Sequence, residues 1–346
     1  MNRKLRVGVI GTGALGRHHA RIYAELAAAG EIEFVGVHDI APAVAAEVAR
    51  QYGVRAFDSL ADLVAGCDAL SIVTPTVTHF DIARTCLEQG RHVLVEKPMT
   101  ERSDQAAALV QLARERGCIL QVGHVERFNP VFQYLRQAAP RPRFIEVHRL
   151  SPYPARSTDV GVVLDLMIHD LDVVLAFVAA PVVSVEAVGV AVLSPSEDIA
   201  NARLRFANGC VANLTASRVS PERMRKIRVF SAGPDPCYIS LDYRAQSGFI
   251  YRLAPDDQPT SPTWTRLLAM AGREATVVTS FAGRKIVREP VPLHPDEPLK
   301  LELRHFVHCA RARQTPIVDG ETARAALDLA LEITRQIHEL AKSSTP

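Results

Sequence analysis

The sequence predicts an α/β protein whose N-terminal half is a parallel sheet flanked by helices. Short apolar runs alternate with helical patterns between residues 7 and 122, which is the order typical of βαβ units. A glycine-rich turn at residues 11–16 separates the first run from the first helix, and Asp39 ends the second run. At 346 residues, the chain exceeds the size at which a single core usually stops growing, so a second domain is expected.

The composition excludes several classes of protein. Hydrophobic residues make up 48% and charged residues 23%, as in an ordinary folded protein. The net charge of +2 gives no reason to expect nucleic acid as a partner. Residues 1–4 lead straight into the first strand and no apolar run reaches membrane length, so we expect a cytoplasmic protein without membrane spans. The cysteines form no CxxC pair and are expected to be buried free thiols, with no metal site.

The first strand and the glycine-rich turn form a nucleotide-binding motif. Residues 7–10 are predicted to be a buried strand and residues 17–29 a helix, with Gly11, Gly13 and Gly16 between them. The first glycine permits a tight turn, the second lets the backbone approach a pyrophosphate, and the third allows close helix–strand packing. The residues expected to contact a dinucleotide here are Gly11, Thr12, Gly13, Ala14, Leu15 and Gly16.

Asp39 follows the second predicted strand, residues 34–38, about where the ribose-binding acid of such a motif belongs. A carboxylate at this position accepts hydrogen bonds from both adenosine-ribose hydroxyls and repels a 2′-phosphate. No Arg or Lys follows through Ala46, which favours NAD over NADP. The alternative interpretation is an aspartate in an exposed turn.

The alternation of strands and helices continues. It predicts helices at residues 41–52 and 60–63 and strands at residues 54–57 and 69–73. The last of these strands leads into a polar turn, residues 74–79, that opens a helix at residues 80–89. Hydroxyls and amides of this turn are suited to line the nicotinamide-ribose side of a crevice. The alternative is that Thr76 or Thr78 simply caps the helix.

A lysine stands at the end of the next predicted strand. Residues 92–95 form an apolar run, and Glu96, Lys97 and Pro98 follow it directly. Lysine is seldom fully buried without a partner, and strand ends in open α/β sheets face the ligand crevice. We therefore expect Lys97 to be functional rather than structural.

The first domain is predicted to end at a hinge. Its last helix and strand are expected at residues 103–116 and 118–122. Residues 123–130 follow as the hinge, with Asn129 capping a helix that begins at Pro130. Arg127 either binds an anionic group of a substrate or pairs with Glu126 or another acid.

The second half carries an acid and a histidine at helical spacing. Apolar residues recur with helical periodicity over residues 160–177, around Asp165 and His169. Four residues apart on a helix, these two side chains share one face. They either form a structural hydrogen bond or take part in proton transfer together with Lys97.

The rest of the second half alternates like a sheet. Strands are expected at residues 144–150, 182–193, 201–206, 209–217, 226–231 and 238–242. The basic segment 218–228 is either a solvated loop or a surface that meets a phosphorylated substrate or a neighbouring subunit. Residues 254–298 are rich in Pro, Asp, Thr and Ser and are expected to form a long excursion from the sheet. Amphipathic helices follow at residues 299–312 and 322–341.

These motifs resemble those of the Gfo/Idh/MocA family of oxidoreductases. The resemblance covers nearly the whole chain and rests on residues 11–16, 74–79, 96–98 and 123–130 and on Asp165 with His169. It implies a Rossmann domain over residues 1–124 and an α/β domain with a large, open, mostly antiparallel sheet over residues 125–346. It also implies a homodimer or homotetramer formed through that sheet and a cis Lys97–Pro98 bond. The implied cofactor contacts beyond the glycine turn are Thr74, Pro75, Thr76, His79, Glu96 and Lys97. The family's glycine-rich run before the acid is absent from residues 159–164, so we expect a different loop shape there.

Oxidation of a secondary alcohol suits these residues. Hydride leaves the carbon for the nicotinamide ring while the hydroxyl proton goes to a base, and a histidine with a pKa near neutrality suits that transfer. By resemblance, His169 is the expected general base and Asp165 its orienting partner or a ligand of a substrate hydroxyl. Lys97 is the cation expected to polarise the reacting oxygen, although family members differ in whether the lysine or the histidine takes the proton.

Residues 123–130, 216–220 and 225–230 look most like those of family members that oxidise nucleotide sugars. This resemblance implies UDP-N-acetylglucosamine as substrate, oxidised at its 3-hydroxyl for lipid A synthesis. Arginines suit a diphosphate, and the ones expected near the crevice are Arg127, Arg156, Arg218 and Arg225. The alternatives are a dehydrogenase of an unactivated polyol or sugar, a redox-neutral NAD-dependent glycosidase and a non-catalytic dinucleotide sensor.

Overall fold

The computed structural model describes residues 3–139, 141–153, 160–233, 235–254, 276–281 and 284–343. The chain divides into two units. The first contains Met1–Phe128 with Glu297–Leu329, and the second contains Asn129–Asp296 with Ala330–Pro346. The predicted division was a single boundary after residue 124. The observed division differs from it because residues 297–329 also belong to the first unit.

The helices lie close to their predicted positions. In chain order they are α1 Ala14–Ala28, α2 Pro42–Tyr52, α3 Leu60–Gly66, α4 Thr76–Glu88, α5 Ser103–Glu115, α6 Pro130–Ala138, α7 Ile168–Val178, α8 Pro298–Ala312 and α9 Gly320–Ser343, with a 3₁₀ turn at Val125–Phe128 and a π-helical turn at Val163–Met167. The predicted cap of α6 is confirmed, because the Asn129 side chain accepts a hydrogen bond from the Val131 amide at 3.1 Å.

A parallel sheet forms the centre of the first unit. Its strands are β1 Leu5–Ile10, β2 Ile32–His38, β3 Arg55–Ala56, β4 Ala69–Ile72, β5 His92–Glu96 and β6 Leu120–Gly123. All neighbouring pairs are parallel, and the spatial order is β3-β2-β1-β4-β5-β6. This is the order of a Rossmann sheet, which binds ligands where the order reverses, outside the carboxyl ends of β1 and β4. The predicted Rossmann fold is confirmed.

Helix α8 explains why residues 297–329 group with the first unit. Its side chains Leu303 and Phe306 are fully buried in the same apolar cluster as Val7 of β1 and Tyr23 of α1. Burial of large apolar side chains is the main favourable contribution to folding. The core of the first unit is therefore built from two stretches of chain that are far apart in sequence.

A second sheet forms the centre of the second unit. Its strands are β7 Pro142–Leu150, β8 Val182–Val190, β9 Ile199–Phe206, β10 Val211–Ser217, β11 Met224–Ser231, β12 Cys237–Asp242, β13 Ser247–Leu253, β14 Thr276–Phe281 and β15 Arg284–Pro290. The nine-stranded order is β14-β15-β13-β12-β11-β7-β10-β9-β8. The inner pair β7 and β10 is parallel, and the other neighbouring pairs are antiparallel. The expectation of a large, mostly antiparallel sheet is confirmed.

The two faces of this sheet differ in character. On one face the alternate side chains of β7, β10 and β11 are buried, as Ile145, Leu214 and Val229 illustrate. On the other face aromatic rings from four neighbouring strands stand in a row, with centroids 5.8, 4.7 and 5.2 Å apart: Phe144, Phe230, Tyr238 and Tyr251. The second face therefore carries apolar surface outside the core.

Candidate active site

The glycine turn lies at the point where the strand order of the first sheet reverses. Gly11 adopts a φ of +89°, and a Cβ there would lie 2.4 Å from the carbonyl oxygen of Val73. A Cβ on Gly16 would lie 2.0 Å from the carbonyl oxygen of Gly11, whereas a Cβ on Gly13 would meet no atom within 4 Å. The first and third glycines therefore serve packing, and only the second faces open space.

The N-terminus of α1 is suited to an anion. Gly13 is its N-cap residue and makes no side-chain cap bond, and the first turn holds no acidic residue. The amides of Ala14 and Leu15 thus open the helix without a side-chain acceptor from the cap. Helix N-termini of this kind bind phosphate through free N–H groups and the helix dipole. The residues present fit the pyrophosphate of a dinucleotide.

The carboxylate of Asp39 is held at the end of β2. Its Oδ2 accepts hydrogen bonds from the Thr12 amide at 2.6 Å and hydroxyl at 2.9 Å, and its Oδ1 accepts one from the Ala41 amide at 2.9 Å. Burial raises the pKa of Asp39, but these bonds outweigh it and the net pKa lies below its usual value. Asp39 is therefore an anion, and its Oδ1 accepts one bond fewer than its Oδ2.

Ile40 is a further residue at this end of the first sheet, and the sequence motifs do not include it. It follows Asp39 directly and is 96% exposed. A large apolar side chain that is exposed next to Asp39 is available for contact with an apolar surface of a ligand. An isoleucine immediately after the acid, outside the strand, was the available signal in the sequence.

The polar turn after β4 is held by its own side chains. The Thr78 hydroxyl lies 2.7 Å from the Thr74 hydroxyl and 2.8 Å from the Pro75 carbonyl oxygen. The N-cap residue of α4 is Pro75, which makes no side-chain cap bond. The alternative prediction that Thr76 or Thr78 caps this helix is therefore wrong, because α4 begins before either residue can serve as a cap.

His79 lies between the turn after β4 and the turn after β5. It is 1% exposed, and its ring nitrogens lie 2.9 Å from the Pro98 carbonyl oxygen and 2.8 Å from that of Thr74. Burial lowers the pKa of His79, and the two carbonyl groups oppose this effect. The side chain therefore links the turn after β4 to the turn after β5.

Glu96 also points inward rather than into open space. It is 7% exposed, and its Oε1 lies 3.1 Å from Nε2 of the fully buried His19 on α1. Its Oε2 accepts a hydrogen bond from the Lys97 amide at 3.3 Å. A Cβ on Gly123 would lie 2.7 Å from the same carboxylate. Glu96 thus fixes the backbone at Lys97, which is half-buried and precedes a cis proline bond, as the resemblance implied.

Two charged or titratable residues follow β6. His124 is 1% exposed, and burial, followed by the cations of Lys97 and Arg127, lowers its pKa to about 3. Arg127 is 8% exposed and donates to the Ile317 carbonyl oxygen at 3.1 Å. The predicted alternatives for Arg127 were an anionic substrate group and an acidic side chain. The Ile317 carbonyl group, which lies in the same unit, is a partner of neither kind.

Asp165 and His169 lie on the π-helical turn and the start of α7, and both are half-buried. The sequence predicted one regular helix over residues 160–177, but the first turn is wider. Single π-turns of this kind occur often at functional sites. Four residues span about one turn in either an α-helix or a π-helix, so positions 165 and 169 are still expected on the same side.

The arginines expected to bind a diphosphate have different surroundings. Arg218 is fully buried and donates to an Asp198 carboxylate oxygen and the Val160 carbonyl oxygen at 2.8 and 2.7 Å, which argues against a substrate role. Arg225 is exposed and pairs in register with Arg149 of β7. Arg156 lies outside the described residues.

Two further findings concern the described residues. No group of three or more His, Cys, Asp and Glu side chains among them has an arrangement that could hold a metal ion, and none of their helices is long and apolar enough to cross a membrane. All six cysteines are free, and four of them are buried.

The order of the first sheet and the open start of α1 define a dinucleotide-binding protein. A family model described as an oxidoreductase family with an NAD-binding Rossmann fold matches residues 5–124, and the model of the GFO/IDH/MocA C-terminal domain matches residues 132–232. The chain belongs to the GFO/IDH/MocA family of oxidoreductases, and the predictions of an NAD-dependent oxidoreductase are confirmed.

Several known proteins are similar over nearly the whole chain. UDP-N-acetylglucosamine 3-dehydrogenase of Acidithiobacillus ferrooxidans is 39% identical over 330 residues, which cover 95% of this chain and 96% of the relative. A solved structure of that enzyme superposes with a TM-score of 0.83 and covers 97% of this chain and 98% of its own. The scyllo-inositol 2-dehydrogenase (NAD(+)) of Bacillus subtilis is 27% identical, over 96% of this chain and 94% of the relative.

Proposed function

We propose that this protein uses NAD to oxidise the 3-hydroxyl of UDP-N-acetylglucosamine to a ketone. The observation that carries the proposal is the 39% identity to a 3-dehydrogenase of that nucleotide sugar, over 95% of this chain. The similarity includes both the cofactor-binding and the C-terminal family regions. The 3-keto product would be aminated for lipid A synthesis in the cytoplasm.

The proposed roles follow the chemistry of alcohol oxidation. Bound NAD supplies the hydride acceptor. His169 takes the hydroxyl proton, Asp165 orients His169 or binds a neighbouring hydroxyl, and Lys97 donates a hydrogen bond to the reacting oxygen. Because His169 is half-buried, its ring is reachable by a substrate and still partly shielded from water.

The proposed cofactor contacts are those of the glycine turn and its surroundings. The amides that open α1 take the pyrophosphate, Asp39 takes the adenosine ribose, and Ile40 contacts the adenine. Thr74, Pro75 and Thr76 line the nicotinamide side. His79 and Glu96 are nearly excluded from solvent. We propose that they support the cofactor-binding turns from the protein interior.

We also propose that the protein is a homodimer or homotetramer assembled through the second sheet. The edge strand β8 exposes 64% of Val183, 59% of Val188 and 58% of Val190. Large apolar side chains exposed together on an edge strand are a common feature of protein–protein interfaces. A molar mass from light scattering that corresponds to one chain would contradict this part of the proposal.

A polyol dehydrogenase is the second candidate function, favoured by the similarity to scyllo-inositol 2-dehydrogenase. The two are separated by following NADH absorbance with UDP-N-acetylglucosamine, free N-acetylglucosamine and inositols in parallel. NADH from the nucleotide sugar alone supports the first proposal. NADH from inositols alone supports the second, and the absence of NADH with every substrate contradicts both.

The base is tested by His169→Asn. We expect kcat to fall by roughly 10²- to 10⁴-fold, the usual contribution of general acid–base catalysis, with an unchanged Kd for NAD. The matched control is His308→Asn, since His308 is exposed on α8. A His169→Asn enzyme that turns over at the normal rate would disprove the assignment.

A further inference from the structure

We infer that two buried arginines of the second unit, Arg149 and Arg218, are positioning residues that hold residues 160–170 at both ends. This segment carries Asp165 and His169, so the inference rests on the proposed function. Neither arginine needs to touch the substrate. Each acts through the backbone of the segment that presents the catalytic side chains.

The two arginines come from the same edge of the sheet. Arg149 is the penultimate residue of β7, and Arg218 directly follows β10. These strands are parallel, with Ala216 opposite Arg149 and Ser217 opposite Leu150. Parallel neighbours end at a common edge, so both guanidinium groups extend from adjacent strand ends toward the segment.

Arg218 holds the start of the segment. Its side chain and that of Asp198 are both 0% exposed, and they form an ion pair at 2.8 Å. A second guanidinium nitrogen donates to the Val160 carbonyl oxygen at 2.7 Å, and a third donates to the hydroxyls of Ser194 and Ser196 at 2.7 and 3.0 Å. A guanidinium held from several directions gives the Val160 carbonyl a fixed donor.

Glu197 reinforces this end. Its carbonyl oxygen accepts from the Val162 amide at 2.9 Å, and its Oε1 accepts from the Val163 amide at 3.3 Å. A Cβ on Gly161 would lie 1.9 Å from the same carboxylate, so a side chain there would displace Glu197 from this position. The first amides of the π-helical turn are therefore bound by a residue that lies next to Asp198 in the chain, and this fixes the turn that carries Asp165.

Arg149 holds the other end. Its Nε and one terminal nitrogen each donate to a different oxygen of Asp170 at 2.8 Å, and both side chains are 4% exposed. Bidentate arginine–carboxylate pairs constrain orientation as well as distance. Asp170 follows His169 in the first turn of α7, so this pair limits how the turn can rotate and where the histidine ring points.

Stability alone is a poor explanation for the Arg149–Asp170 pair. Replacing a buried ion pair by well-packed apolar residues is often neutral or stabilising, because desolvation offsets the attraction between the charges. One bidentate pair lies within one residue of His169, and the Arg218 cluster lies at the opposite end of the segment. Both are better explained by a need to fix the position of the segment. Misplacing a reacting group by about 1 Å can reduce the rate by about 100-fold.

The test replaces the Arg149 pair without leaving a buried charge. We expect R149M/D170L to lower kcat by about 10- to 100-fold, with the melting temperature and the Kd for NAD close to wild type. The matched control is R252M/E289L, which removes a pair at 2.7 Å between β13 and β15 of the same sheet and should leave kcat within about twofold of wild type. An R149M/D170L enzyme that folds and retains full kcat would overturn the inference.

A double-mutant cycle separates positioning from a general loss of structure. In a His169→Asn background, R149M/D170L should have little further effect on kcat if Arg149 acts through His169. A full additional loss in that background would overturn the inference while leaving the proposed base intact. Conversely, normal turnover by His169→Asn alone would reject the proposed base, whatever the arginine variants do.

Conservative variants keep the inference testable if the double variant does not fold. Arg149→Lys retains the charge but cannot form the bidentate pair, and Arg218→Lys has too few donors to bind Asp198, Val160 and the serines at once. Each should fold and lower kcat by about 10-fold. Full kcat in either folded lysine variant would exclude a positioning role for that arginine.

Discussion

The carbonyl oxygen of Gly11 occupies the space that a side chain on Gly16 would need, because a Cβ there would lie 2.0 Å from it. Helix α1 and the end of β1 are therefore in backbone contact. Gly13 lies between them, but its missing side chain faces open space. Glycines of one motif are thus required for two different reasons, internal packing and access by a ligand.

This difference predicts opposite effects for two single-methyl substitutions. Gly16→Ala should destabilise the protein by roughly 1–3 kcal/mol through overpacking, seen as a lower melting temperature. Gly13→Ala, at a φ of −64° that alanine tolerates, should retain the melting temperature but raise the Kd for NAD at least about 10-fold, since its methyl group takes the place of the pyrophosphate. Equal losses of NAD affinity and stability in both variants would contradict the assignment.

Asp39 should control the choice of cofactor. Asp39→Asn removes a charged hydrogen-bond acceptor, which is worth about 1.5–3 kcal/mol, so the Kd for NAD should rise about 10-fold or more. The preference over NADP should narrow because the repulsion of a 2′-phosphate is lost. Titration with both cofactors measures this, and the exposed Asp58→Asn is the control. An unchanged ratio of the two Kd values would exclude Asp39 as the discriminating acid.

Arg225 is a better candidate than Arg218 for a substrate phosphate, since it is exposed. Arg225→Met should raise the KM for UDP-N-acetylglucosamine about 10-fold, through the loss of a charge-assisted hydrogen bond, with little change in kcat. Arg228→Met is the matched control, because residues three apart on β11 face opposite sides of the sheet. Steady-state kinetics that show the same KM for both variants would remove Arg225 from the binding site.

The pH dependence of stability should report on Asp198. Burial raises its pKa, but hydrogen bonds from the Leu193 amide, Arg218 and Ser194 outweigh this effect and hold the pKa well below its usual value. The stabilisation that Asp198 provides is therefore fully present above about pH 4, its ordinary range, and is lost as the pH falls through the lowered pKa. Asp198→Asn should cost about 3–5 kcal/mol at pH 7 by leaving a buried arginine charge uncompensated.

Urea unfolding of the wild-type protein and of Asp198→Asn at several pH values tests the direction of this pH dependence. The difference in free energy of unfolding should be the same at pH 7 and pH 5, and smaller at the lowest pH at which both proteins fold. A difference that grows on acidification would contradict the lowered pKa.

The parts of the site that the sequence predicted are those set by local spacing. Gly11, Gly13 and Gly16 and the acid at Asp39 follow from the order of strand, turn and helix, which short-range periodicity reveals. The cap at Asn129 is local as well. In each case the partners lie within a few residues or within one βαβ unit.

The parts that could not be predicted depend on distant partners. Arg218 belongs to a basic segment that reads as surface, and its burial depends on Asp198 and on Val160, far apart in the chain. The Glu197 carboxylate accepts a hydrogen bond from the first amide of the π-helical turn. The periodicity of apolar residues cannot predict such a contact. Strands β13 to β15 are rich in polar residues, so their alternation is weak.

The first unit is built from two separate stretches of chain, and this affects how it folds during translation. All six strands of its sheet precede Asn129, but α8, which buries Leu303 and Phe306 against β1 and α1, is translated only after Asn129–Asp296. The nascent Rossmann sheet therefore leaves the ribosome with an uncovered apolar face, which is the condition under which partly folded chains associate and recruit chaperones. A fragment ending near residue 124 would lack α8, so it should expose the apolar side chains that Leu303 and Phe306 cover in the full chain.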